Sequence, residues 1–307
     1  MIDKIYFSII IPTYNGEKKI SALLKGLIKQ EYKYFEIIIV IDGSTDNTEQ
    51  VARQILEPSG IPFLILNKEN TGRGSTRNFG TYQAKNDFLV FFDDDMMPEP
   101  DCLSLFAKFH LENKESIVVG SQMEDYNLMS TDFQRYKAYL SRKWEGHQDG
   151  SIKEFNASNL HLTAANFSIS TSLFKSLNGF DERLSDVEDF ELATRAFKKG
   201  ILIFFMPKAK AWHNDLVSCK SYIKRQRQYN EAYQDLLNFR PELFGKFQQM
   251  MPYHISIFKK LLYFPFSFKI WKSWIDDEIL LIKVLPQKIR YKIYDLVVWA
   301  QAKVFPD

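Results

Sequence analysis

The chain has 307 residues, 45% of them hydrophobic and 15% aromatic, and a net charge of +2. That length and apolar content exclude a disordered chain and leave room for one large or two ordinary domains with a sizeable core. The small net charge gives no ground for a nucleic-acid partner, and two distant cysteines, Cys102 and Cys219, exclude a disulfide framework and fit a reducing cytoplasm.

Ile5 to Ile11 is a β-branched apolar run, read as a strand and closed by Pro12-Thr13-Tyr14-Asn15-Gly16. Ile20, Leu23, Leu24, Leu27 and Ile28 then recur at helical spacing, with Lys18, Lys19, Lys25 and Lys29 off that face. Glu36 to Ile41 is a second buried strand. Asp42-Gly43-Ser44-Thr45-Asp46-Asn47-Thr48 is a turn that starts a helix ending by Pro58. Phe63 to Leu66 is a third strand. Asn70 to Ser75 reads as a flexible turn, and a helix follows from Arg77 to Lys85. Phe88 to Phe92 is a strand buried on both faces, followed at once by Asp93-Asp94-Asp95.

Strand and helix alternate throughout, which argues for βαβ units and a parallel sheet covered on both faces. In such a sheet, ligands bind outside the carboxyl ends of the strands. The loops after these strands should therefore converge on one cleft. Further on, Asp101 to Leu111 reads as a helix and Ile117 to Gly120 as a short strand. The polar, aromatic stretch from Met123 to Gly150 shows no usable period. His161 to Ser170 holds a strand, and Thr171 to Leu177 a short helix stopped by Asn178-Gly179. Asp186-Val187-Glu188-Asp189 leads into a helix that stops at Gly200. Ile201 to Phe205 is a strand, with Trp212-His213-Asn214 just beyond it.

Three adjacent carboxylates are not stabilised by a core; they face water, cations or donors. On the triplet alone, a divalent metal seat and a solvated acidic turn are equal readings. Convergence of the loops favours the metal seat. Asp189 has a similar pair of readings. It is either a working carboxylate or a first-turn acid stabilised by the helix dipole. Glu191 and Arg195, four apart, read as an ion pair.

These residues together resemble the family 2 glycosyltransferases of the GT-A fold. Ile11-Pro12-Thr13-Tyr14-Asn15 is similar to the family's first-strand signature, and Val40-Ile41-Asp42-Gly43-Ser44-Thr45-Asp46 to its second-strand loop. Asn70 through Gly80, with Arg77-Asn78, resembles its third motif, and Asp93-Asp94-Asp95 its D-x-D metal motif. Asn166 and Gly179-Phe180-Asp181-Glu182 resemble its acceptor-side segment, and Glu188-Asp189, with Leu192 and Arg195, its "ED" helix start. The resemblance covers about residues 5 to 215. One departure is Ile41, where the family often carries a first acid; the retained Asp42 aligns with the base-reading one.

The resemblance implies a Rossmann-like α/β domain over residues 1–215, with a mixed, mainly parallel sheet and helices on both faces. It implies transfer of a sugar from a nucleotide sugar, UDP-linked by preference, to an acceptor hydroxyl with inversion. Pro12, Thr13, Tyr14, Asn15 and Asp42 would hold the nucleoside, and Arg77 would help at the base or diphosphate. Asp95 would ligate a manganese or magnesium ion, with Asp93 and Asp94 on metal, water or ribose. Asp189 would be the general base, and His213 a further metal ligand on the diphosphate side. The acceptor would be a saccharide or lipid-linked saccharide, as in cell-surface polysaccharide synthesis. A non-catalytic nucleotide-sugar-binding relative and a sugar-phosphate nucleotidyltransferase are the rival functions. The second should carry a glycine-rich loop with a basic residue after the first strand, where this chain has Pro12-Thr13-Tyr14-Asn15.

Residues 216–307 read as a helical extension. They carry 15 Lys and Arg against 8 Asp and Glu, a surplus of seven that leaves the first 215 residues at −5. Ile255 to Trp274 interleaves aromatic residues with lysines, and Ile289, Ile293, Leu296, Val297, Ala300 and Val304 mark a helical stripe. Such a face suits the inner surface of a membrane; equally, it suits packing on the catalytic domain or a homodimer interface. No run reaches the ~18 apolar residues of a spanning helix, and no signal-peptide pattern precedes the first strand. The expected location is cytoplasmic, peripheral to the membrane if the extension docks there.

Overall fold

The computed structural model describes residues 4–145, 150–213, 215–242, 247 and 255–306. Asn214, at the end of the Trp212–Asn214 segment, lies outside them. The apolar run at the start becomes β1 (Phe7–Thr13), buried at every position, and is followed by α1 (Ile20–Ile28). β2 (Phe35–Asp42), α2 (Thr48–Leu56) and β3 (Phe63–Lys68) complete the first two parallel steps.

α3 spans Arg73–Tyr82, so it begins four residues before the expected start at Arg77. Gly72 enters it at φ +94°, a conformation that favours glycine, and Arg73-Gly74-Ser75 is helix and not flexible turn. α3 lies close to the sheet. A Cβ on Gly80 would sit 2.9 Å from both Ile10 and Val40.

β4 (Phe88–Phe92) ends at the aspartate trio. The short β5 (Met96–Pro98) after it has no periodic signal in the sequence. Then come α4 (Cys102–Glu112), β6 (Ile117–Met123) and α5 (Asp132–Glu145); this last helix occupies much of the unread stretch. β7 (Lys153–Glu154), β8 (Asn166–Ser170), α6 (Thr171–Ser176), α7 (Glu188–Lys198) and β9 (Ile203–His213) close the domain. Trp212 and His213 belong to β9, which is longer than expected.

The sheet runs β3-β2-β1-β4-β8-β6-β9-β5, with β7 on β9. β1, β2, β3 and β4 pair parallel; β8 runs antiparallel to β4 and β6. Alternate residues of the central strands feed two cores. Ile10, Ile38, Val40, Leu89 and Phe91 face one side, with Phe174, Phe180 and Leu192; Ile9, Ile11, Ile37, Ile39, Val90 and Phe92 face α1, α2 and α4. Helices therefore cover both faces, as period-two burial of uniformly apolar strands requires.

α8 (Cys219–Phe239) leads into α9 (Ile257–Tyr263), α10 (Ile270–Asp276), α11 (Leu280–Val284) and α12 (Gln287–Trp299). α12 buries Tyr291, Tyr294, Val297 and Val298 in a third core with Phe133 and Tyr136 of α5 and Cys219 and Ile223 of α8. Of the expected stripe Val297 and Ala300 are buried and Ile293 packs on this core, while Ile289 stays 49% exposed. The tyrosines extend the buried face. Tyr294 donates to Asp132 at 2.7 Å and Tyr136 to Asp295, so these two rings are buried with their hydroxyls satisfied.

Candidate active site

The loops after β1, β2, β3 and β4 do converge. With residues 182–185 they line a cleft of about 700 Å³ that includes Pro12, Thr13, Tyr14, Asp42, Arg77 and Asp93 to Asp95. Lys19 and Arg73 also line it. Sequence reading missed both, because Lys19 looked like a solvated helix position and Arg73 like part of a flexible turn.

Asp42 sits at the floor of this cleft. Its Oδ1 accepts from Lys68 Nζ at 2.5 Å and from the Thr71 amide at 3.0 Å, and its Oδ2 from the Gly72 amide at 3.0 Å. Burial pushes its carboxyl up, but the Lys68 and backbone donors outweigh that and hold it below the usual range. Tyr14 stays 53% exposed at the rim. Asn15 is bonded to the second loop. It adopts φ +48°, its Oδ1 accepts from the Thr45 amide at 2.9 Å, and its own amide donates to Ser44 at 2.9 Å. It ties the first loop to the second and is absent from the cleft wall.

The three aspartates part company. Asp93 accepts from Arg77 Nη2 at 2.6 Å. Asp94 accepts from the Thr13 hydroxyl at 2.6 Å; burial, only partly offset by Thr13, pushes it up to about 6. Asp95 lies 3.4 Å from His213 Nε2. Burial would raise Asp95, but His213 outweighs it and holds the carboxyl low; the same contact raises His213 against its own burial. The pairing follows from register. β5 runs antiparallel to β9 with Met96 opposite His213, which brings residue 95 beside the imidazole.

Arg77 is 1% exposed, not a surface residue. Its Nη1 donates to Glu188 at 2.5 Å and its Nη2 to Asp93, so the guanidinium spans the trio and the acidic start of α7. Its partners are carboxylates, where sequence reading placed a base or diphosphate. Burial is outweighed by Asp93 and Glu188, and the guanidinium is held firmly charged.

Asp189 lines a second cavity, of about 740 Å³, whose other walls include Thr163, Tyr229 and Tyr233. Its Oδ2 accepts from the Ala164 amide at 3.2 Å and its Oδ1 from the Phe190 amide at 2.7 Å. The second bond satisfies one of the free amides in the first turn of α7. Its environment adds more. Burial first, then the charge of Glu188, pushes the carboxyl up to about 7 against the pull of Ala164 and Arg77. His161, on the same wall, is pushed down to about 4 by burial and is neutral near pH 7.

The loop before the Glu188–Asp189 pair is tied to the extension. Val187 precedes the pair at φ +57°, costly for a β-branched residue. Arg225 of α8 pairs with Asp186, and Arg240 reaches Asp181 at 3.1 Å. Arg195 forms the expected pair with Glu191 at 2.6 Å and also donates to Gly179. Asn166 is fully buried. Its amide donates at 2.9 Å to the Ser121 and Ala209 carbonyls, next to the register shift between β6 and β9. It satisfies carbonyls which that shift takes out of the ladder.

No group of three His, Cys, Asp or Glu side chains forms a closed metal cage among the described residues. The site fits a divalent ion in a more open way. Asp95 Oδ1 is buried without a partner, and Asp95 Oδ2 is beside His213. One carboxylate and one imidazole would make part of a divalent-ion site, with the remaining ligands from phosphate and water.

The model of a family described as glycosyl transferase family 2 matches residues 8–177, more than half of the chain. The chain belongs to that family. Among curated glycosyltransferases, it is 26% identical over 229 residues to the probable glycosyltransferase YdaM of Bacillus subtilis, covering 72% of this chain and 54% of YdaM. It is 34% identical over 115 residues to TarS of Staphylococcus aureus, a poly(ribitol-phosphate) β-N-acetylglucosaminyltransferase, covering 37% of this chain and 20% of TarS. The chain thus spans about half or less of these relatives. The glycosyltransferase fold extends further than the family match. TarS residues 1–349 in complex with UDP-GlcNAc superpose with TM-score 0.58 at 20% identity, over 96% of this chain and 89% of that one. A mannosyltransferase from Pyrobaculum calidifontis in complex with GDP-Man and Mn2+ gives 0.61 at 16% identity, over 97% and 86%.

Proposed function

We propose that this protein is an inverting, metal-dependent glycosyltransferase that moves a sugar from a UDP-linked donor to a saccharide hydroxyl. The observation that carries the reading is the pair of cavities. One holds the aspartate trio; the other holds a carboxylate poised near neutral pH; Arg77 and Glu188 link the two.

In this reading the cleft takes the donor. Pro12, Thr13 and Tyr14 flank the nucleoside, and Asp42 Oδ2, with one amide donor already, keeps an acceptor site for a base N–H. Lys19 and Arg73 supply positive charge beside the diphosphate. Asp95 and His213 would hold the divalent ion, which when bound stabilises the charge that gathers on the departing diphosphate. Asp93 and Asp94, fixed by Arg77 and Thr13, shape the floor below it.

The second cavity takes the acceptor, a saccharide free or linked to lipid at the inner face of the membrane. Asp189 accepts the proton of the attacking hydroxyl, a step worth about 10²–10⁴ in rate. A base opposite the leaving group implies one displacement and inversion; a retaining route would place a nucleophile against the donor sugar. Residues 1–215 form the catalytic unit, and the extension from residue 216 supplies one wall of the acceptor cavity. The test is release of UDP from UDP-GlcNAc with manganese and a saccharide panel. Wild type should turn over and Asp189→Asn should not; equal rates would remove Asp189 as base.

A further inference from the structure

The segment from Ile255 to Ile275 contains four lysines and no acidic residue. It folds as α9, a single 3₁₀ turn at Phe264–Phe266, and α10. One side of this hairpin is anchored. Tyr263 stacks on Trp299, Phe264 meets Phe305 edge-on, and Gln301 donates to the Phe266 and Phe268 carbonyls at 3.2 and 3.0 Å. The Trp271 indole N–H closes it on the Pro265 carbonyl at 2.8 Å. The other side displays apolar residues to solvent. Ile257, Phe258 and Leu261 are 79%, 81% and 68% exposed, and Leu262, Phe264 and Phe268 are each more than half exposed. Lys259, Lys260 and Lys269 are exposed among them.

We propose that this hairpin is a docking surface for an anionic lipid bilayer. Large aliphatic and aromatic side chains held outward by a fixed turn match the acyl boundary, and interspersed lysines match phosphate headgroups. Charge decides against a second copy of the chain as the occupant. The exposed face carries Lys259, Lys260 and Lys269, whereas Asp276 and Glu278 at the far end of α10 are bonded to the start of α8 and to Asp132 and Lys283, away from that face. Among the described residues, no helix is long and apolar enough to cross a membrane, so the contact lies on the surface. The proposal deepens the acceptor reading above and rests on it only for its purpose. Ile255 and Ala302 line the cavity that holds Asp189, so the hairpin starts at the wall of that cavity. A saccharide carried on a membrane lipid would meet the base from that side.

The experiment is sedimentation of the full chain with vesicles of phosphatidylcholine alone or with phosphatidylglycerol, at low and high salt. Wild type should bind the anionic vesicles and leave them at high salt. F258S/L261S and K259E/K260E should each lower the partition coefficient about tenfold or more, with the UDP-induced thermal shift unchanged as the check on folding. The proposal is overturned if wild type ignores anionic vesicles, if both variants bind as well as wild type, or if F258S/L261S only converts a lipid-free dimer to monomer. Vesicle binding without UDP release would sink the catalytic reading and leave the docking surface standing.

Discussion

The aspartate trio after β4 and the Glu188–Asp189 pair at the start of α7 are both runs of adjacent carboxylates, yet their chemistry differs. In the trio each acid has its own polar partner from elsewhere in the chain: Arg77, Thr13 and His213. In the pair, Arg77 answers Glu188 at 2.5 Å, while Asp189 receives only backbone amides and is pushed up to about 7. The contrast teaches that the surroundings of a carboxylate matter as much as its partner: Asp94, bonded to the neutral Thr13, is pushed up to about 6 by burial as Asp189 is to about 7, but the two line different cavities. Arg77 touches both clusters, since its guanidinium neutralises one member of each.

The largest effect is expected where that contrast is removed on the base side. Asp189→Asn should lower kcat by about 10²–10⁴ while the UDP-induced thermal shift persists. The sign of its effect on stability is opposite. Asp189 titrates above its usual 3.8 in the folded protein, so its ionisation weakens the fold as pH rises from that value towards about 7. Asp189→Asn should therefore melt higher than wild type at pH 8. For wild type, kcat/KM should fall about tenfold per pH unit below about 7, as the base takes up its proton. A flat profile from pH 5 to pH 8 would break the distinction between the two clusters.

Next in size is the shared cation. Arg77→Met leaves Asp93 and Glu188 without their common partner and should cost about 3–5 kcal/mol in urea unfolding. Arg77→Lys should recover part of this, since an ammonium cannot reproduce the fork that reaches both carboxylates. On the trio side, Asp95→Asn should abolish the manganese-dependent thermal shift and leave the shift caused by UDP without metal. Retention of the manganese response would move the ion away from Asp95 and His213. The smallest effect is the control. Arg53→Ala breaks an exposed pair with Glu49 and should change stability by no more than about 0.5 kcal/mol.

Local pattern made the domain's first half legible. Uniform apolar runs identified β1, β2 and β4, and period-3.6 spacing identified α1. Where side chains have long-range tasks, the pattern misleads. Nothing in its own helix shows that Arg77 joins two carboxylates until α7 is folded against it. Asn15 and Asn166 satisfy backbone groups of neighbouring loops and strands, tasks that no local spacing signals. α5 hides in a polar, aromatic stretch because its buried face is built from Phe133 and Tyr136, whose partners lie on α8 and α12.

By itself the sequence determined most strands of the first half, that their loops share one edge, and that acids cluster after β4 and at the start of α7. These are short-range facts, written in a repeat of two or of 3.6 residues. Tertiary structure alone decided that β5 would pair with β9 and so set His213 beside Asp95. It also decided that Asp189 would open on a cavity walled by α8, and that α12 would be buried while α9 stayed bare. Register, burial and charge pairing across more than a hundred residues depend on the whole folded chain, and no local repeat encodes them.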